Sequence, residues 1–254
     1  MRRLGIVISV VLMLLAALAP MAQEKPGNMG RVFVTVPRPG MAQQYEEGRK
    51  RHMDWHRKQG DTWTWDTWQV ETGQASGAYV TGTFGHQWKD FDAWEAKYGK
   101  GDLADAAVNL SPSTGGGTNG FWIYLAEVSR PSDSKEPPKM AEVLHFMVNM
   151  DDEKAFNGAI RKVHEAIGKT NWPVRYTWYE LFNGGEHPHF VLVFPRNSWA
   201  EMAPPEVSFE AMLEKAYGEA DAETILMSLL KSVHHESSEV LLYRPELSYR
   251  PGSK

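Results

Sequence analysis

Tyr45 to His56 reads YEEGRKRHMDWH, and 111 residues further on Phe156 to Ile167 reads FNGAIRKVHEAI. Residues three or four apart share one helical face. The first stretch therefore aligns Met41, Tyr45, Gly48, His52 and Trp55 as one stripe, with His56 beside it. The second aligns Phe156, Ile160, Val163 and Ile167. The correspondence runs on downstream. Thr67-Trp68, Tyr79-Val80 and Trp88 with Phe91 recur as Thr177-Trp178, Phe190-Val191 and Trp199 with Met202, at offsets of 110, 111 and 111. Both copies close on Arg-Pro, at Arg130-Pro131 and Arg244-Pro245. The unit to be read is thus half the chain.

In the first copy, the β-branched run Val32–Val36 predicts a strand, and Pro37 and Pro39 lead into a helix that stops at Gly60. Strands are expected over 63–71 and 78–84, a helix over 88–98, a glycine-rich connector or lid over 113–120, and a strand over 121–128. The second copy predicts strands over 142–148, 174–182, 190–194 and 240–243. Its helices are expected over 152–167, 209–217 and 222–233. The stretch SDSKEPPK, Ser132–Lys139, has the composition of an exposed connection.

The order β-α-β-β-α-β is the ferredoxin-like unit. Two units in one chain can set their sheets face to face, and here the sequence resembles the dimeric α+β barrel superfamily in a fused form. The resemblance is architectural and covers most of residues 31–245. It implies an α+β fold of two tandem ferredoxin-like repeats, 31–130 and 140–245, joined by a linker over 131–139 and forming an intramolecular barrel. That superfamily includes monooxygenases, haem-dependent peroxidases and dismutases, and isomerases, so fold alone selects no reaction.

The chain opens on Met1-Arg2-Arg3, an apolar run from Leu4 to Ala19, and small residues up to Ala22, the three parts of a secretory signal. Removal of residues 1–22 and a periplasmic or secreted destination are the expectation, with an uncleaved anchor as the rival reading. Without cysteine there is no disulfide, thiolate ligand or cysteine nucleophile. Losing Arg2 and Arg3 takes the formal charge from −5 to −7, spread along the chain, which argues against nucleic acid as a partner.

His52 and His56 stand one helical turn apart and face the sheet where the second copy has Val163 and Ile167. Burying imidazoles costs free energy unless their nitrogens are paired. The pair is the candidate catalytic site, as base or ligand. A metal reading lacks a third ligand and is not HExxH, so no metal is assigned and the cofactor stays unknown. Ordinary hydrogen bonding to the sheet is the plainer alternative. Trp55, Trp63, Trp65 and Trp122 are specific to the first copy and form the candidate ligand-binding set. Trp68, Trp88, Trp178 and Trp199 recur and read as architectural. His187, His189 and His145 read as turn or core residues, and His234-His235 as the end of a helix.

The sequence therefore leads to two readings. One is a pocket in copy one for a small aromatic ligand, with a monooxygenase-like or haem-linked activity. The other is a non-enzymatic binding or structural protein. Either suits a monomer or, through free strand edges, a homodimer.

Overall fold

The computed structural model describes residues 26–134 and 136–252, so the signal-like segment lies outside the described residues. Copy one contains β1 (Met29–Pro37), α1 (Ala42–Gln59), β2 (Asp66–Val70), β3 (Tyr79–His86), α2 (Trp88–Trp94), a π-helical turn (Glu95–Gly99), α3 (Lys100–Asn109) and β4 (Thr114–Tyr124). Copy two contains β5 (Met140–Val148), α4 (Glu153–Thr170), β6 (Thr177–Asn183), β7 (His189–Arg196), α5 (Phe209–Tyr217), α6 (Glu219–Ser232) and β8 (Val233–Tyr243). None of the described helices is long and apolar enough to cross a membrane.

The strands run β4-β1-β3-β2 in one copy and β8-β5-β7-β6 in the other. Antiparallel pairing of β2 with β8 and of β4 with β6 closes the two sheets into one barrel. Closure uses the edges that the sequence reading left free for a second chain. Alternation along each strand then sets two environments. On β5, Ala141 and Val143 fill the barrel with Val70, Val191 and Leu241, while Leu144 and Phe146 face the helices.

The two copies end their first helix in the same way. Gly60 (φ 63°) and Asn171 (φ 55°) both cap in the left-handed region, and the next residue, Asp61 or Trp172, donates its N–H to the carbonyl of His56 or Ile167. The structural offset is therefore 111, and it stays 111 on the following strand. The Thr67 N–H donates to Ser248 Oγ and the Trp178 N–H to Ser129 Oγ, at 2.8 and 2.9 Å.

This corrects the pairing of Trp68 with Trp178. A slip of one residue turns a side chain to the other face. Trp68 packs inside the barrel beside Tyr243, whereas Trp178 lies under α4 beside Phe156. Trp88 and Trp199, 45% and 56% exposed, are surface residues rather than core.

The closing segments also differ from expectation. Trp65 bridges Tyr249, and Tyr176 bridges Arg130, so Tyr249 is the counterpart of Arg130 and the Arg-Pro pairs are not equivalent. Each copy's tail crosses the seam to cover the other copy's sheet.

Two further expectations fail for local reasons. The glycine-rich stretch is strand, not loop: β4 runs through it against β1, and a Cβ on Gly117 would stand 2.1 Å from the Val34 carbonyl oxygen. His234 and His235 begin β8, because α6 stops at Ser232.

Candidate functional site

Helix α1 buries Tyr45, Arg49, His52, Met53 and His56 against the copy-one sheet. His52 and His56 are only 4% and 1% exposed, but they face different neighbours: His56 meets Trp65, and His52 turns toward Asp102 and Asp105. What surrounds them comes from three separate parts of the chain.

Gly60 reverses the backbone, and Asp61 returns beneath the helix to meet His56 Nδ1 at 2.8 Å. The same carboxylate accepts from Trp65 Nε1 (2.9 Å), the Trp63 N–H (3.0 Å) and Trp94 Nε1 (3.1 Å). Four donors meet the roughly four lone-pair positions of an ionised carboxylate. Burial pushes the Asp61 carboxyl up, but the bonds from His56, Trp63 and Trp65 outweigh it and hold it below the usual range. Desolvation lowers His56 despite its bond to Asp61.

Helix α3 brings Asp102 and Asp105. Asp105 Oδ1 lies 2.8 Å from His52 Nδ1. Asp102 Oδ1 lies 3.3 Å from His52 Nε2 and 3.4 Å from His56 Nε2. Close approach of α3 to α1 depends on two glycines. A Cβ on Gly48 would stand 1.9 Å from the Asn109 carbonyl oxygen, and one on Gly101 would stand 2.9 Å from the Trp55 ring.

Aromatic rings complete the shell. Trp55 lies parallel to His52, with centroids 6.0 Å apart, and Trp63, Trp65, Trp94 and Tyr249 form one packed group around His56. Trp122, grouped with these by sequence, lies instead inside the barrel against His189. Asp61, Trp94, Asp102, Asp105 and the buried Arg49 were not singled out by sequence. The string Asp102-Leu-Ala-Asp105 at helical spacing was the available signal.

Copy two differs at the same helical positions. Val163 and Ile167 line a cavity of about 550 Å3 between α4, α5, α6 and the sheet. Its wall is almost wholly apolar, with Phe156, Trp172, Trp178 and Phe194 among its rings. Tyr176 adds a phenol, whose oxygen lies 2.9 Å from His164 Nδ1 and whose pKa burial pushes up to about 12. A cavity with space for a molecule thus lies in copy two, while the copy-one histidines and tryptophans pack on one another.

Several solved structures share this architecture. A "putative monooxygenase" from Fusobacterium nucleatum aligns with a TM-score of 0.56 at 7% identity, over 89% of this chain and 95% of that one. An anthrone oxidase-like protein aligns at 0.53 and 12% identity, over 91% and 96%. A mutant chlorite dismutase from Candidatus Nitrospira defluvii aligns at 0.51 and 10% identity, over 87% and 93%. No family model and no curated protein matches the chain.

The chain shares their α+β barrel fold.

In this fused α+β barrel, the haem that the superfamily resemblance implies can be tested against the donor set. The imidazoles lining the cavity are His234 and His235, both exposed at the start of β8, and His164 on α4 is engaged by Tyr176. The residues lining this cavity offer no buried, unengaged imidazole to hold a haem there.

Proposed function

We propose that this α+β barrel protein takes an apolar, ring-containing small molecule into the copy-two cavity and oxidises it with molecular oxygen, as a monooxygenase does. The observation that carries the binding half is the cavity itself. Its size and apolar, aromatic wall match small-molecule sites, which are largely preformed. The likeness to structures described as monooxygenases and as anthrone oxidase-like supports the oxidation. Export, with removal of residues 1–22, belongs to the same proposal and rests on the N-terminal pattern.

One observation favours binding without chemistry: apart from Tyr176, the titratable groups lining the cavity are His234, His235 and Glu236 at the start of β8. Native mass spectrometry of the gently purified protein identifies a retained ligand. Val163→Trp then fills the cavity and is expected to release that ligand with the fold intact. Retention by the variant would place the ligand elsewhere. Oxygen consumption with the identified molecule separates enzyme from carrier.

A further inference from the structure

The copy-one cluster supports a different inference, independent of the cavity. Each histidine already has a carboxylate on one ring nitrogen: Asp105 at His52 Nδ1 and Asp61 at His56 Nδ1. An ionised carboxylate only accepts, so both Nδ1 atoms carry the proton. That leaves the two Nε2 atoms as the free ligand positions, and both lie close to one carboxylate oxygen, Asp102 Oδ1, at 3.3 and 3.4 Å. One ligand atom from each of the three residues lies within 4.8 Å of the others.

We propose that His52 Nε2, His56 Nε2 and an Asp102 carboxylate oxygen bind one divalent transition-metal ion. The spacings support this. Two ligands at the Zn–N and Zn–O lengths of about 2.0–2.1 Å stand about 3.3 Å apart around a tetrahedral ion. The two separations to Asp102 Oδ1 are 3.3 and 3.4 Å. Asp61 and Asp105 supply the outer carboxylates that orient ligating imidazoles and fix their tautomer. Two imidazoles and one carboxylate favour Zn2+ and its first-row neighbours over Mg2+ and Ca2+, which take oxygen. The histidines are buried, but the Asp102 side chain is 28% exposed, so the ion enters from the α3 side and keeps coordination positions open there.

The site reads as absent from copy two, where Val163, Ile167 and Trp172 replace His52, His56 and Asp61. Duplication has left one polar, ion-binding copy and one apolar, cavity-bearing copy.

The chelator-treated full chain is titrated with Zn2+ by calorimetry and with Co2+ by visible absorption. One equivalent is expected, with a Co2+ d–d spectrum of imidazole ligation and a raised Tm. Asp102→Asn, a change at a part-exposed position, is expected to weaken Zn2+ at least tenfold with an unchanged circular dichroism spectrum. Asp105→Asn is expected to weaken it by roughly ten- to a hundredfold through the outer shell. His234→Ala/His235→Ala removes exposed imidazoles and is expected to leave the Zn2+ affinity and stoichiometry unchanged. The proposal is overturned if no stoichiometric ion binds, if Asp102→Asn binds as tightly as the parent, if uptake disappears only with His234 and His235, or if Mg2+ or Ca2+ displaces Zn2+ at comparable concentration.

Discussion

Asp61 shows how one side chain organises a cluster. It terminates four donors from four residues of copy one, all within a part of the fold that excludes water. Asp61→Ala leaves those donors buried without an acceptor, and is expected to cost about 3–5 kcal/mol, read by urea unfolding. A second residue titrates. Burial, then the nearby His145 and His187, lower His189 to about 4. Its ring is neutral in the fold and protonates more readily in the unfolded chain, so its contribution is complete above about 6.5 and is lost as pH falls toward 4. The loss is about 1–2 kcal/mol after allowance for solvent screening. Urea midpoints at pH 7 and pH 4.5 should therefore differ more for the parent than for His189→Gln; equal differences would rule this contribution out.

At the scale of elements, α1 and α4 are equivalent helices with different neighbours. Gly48 lets the α3 backbone approach α1, while its counterpart Ala159 has a side chain that the copy-two packing accepts. Gly48→Ala must push α3 outward and is expected to cost about 1–3 kcal/mol. Gly158 on α4 is exposed, helical and surrounded by open space. Gly158→Ala is expected to stabilise by about 0.4–1 kcal/mol, because it restricts the unfolded chain and touches nothing in the folded one. Thermal unfolding of the two variants should move in opposite directions. Helix α3 was missed by sequence because it buries no residue and its larger apolar side chains, Leu103 and Val108, lie in solvent, so no apolar stripe marks it.

At the scale of the molecule, the copies are not separable domains. Leu247, fully buried, and Tyr249 belong to the tail of copy two yet complete the sheet and core of copy one. The Trp65 and Tyr249 backbones exchange hydrogen bonds of 2.8 and 2.9 Å, Tyr249 Oη donates to the Asp61 carbonyl at 2.6 Å, and Arg49 Nε donates to the Leu247 carbonyl at 3.2 Å. Truncation after Arg244 removes two large buried side chains, expected to cost about 3–6 kcal/mol. Hydrogen exchange should show the loss in α1 and β2, far along the sequence from the cut. Equal loss of protection in α4 would contradict this arrangement.

The sequence by itself determined the duplication, the order of the strands and the burial of His52 and His56, because period and composition are local and survive divergence. The register between copies, the exchange of tails across the seam, the approach of Asp102 to both imidazoles and the placing of the cavity in copy two were decided by tertiary structure. Each depends on residues far apart in the chain meeting across a closed barrel, where a one-residue offset reverses a face and a missing Cβ admits a helix. Spacing along a sequence carries no record of such meetings.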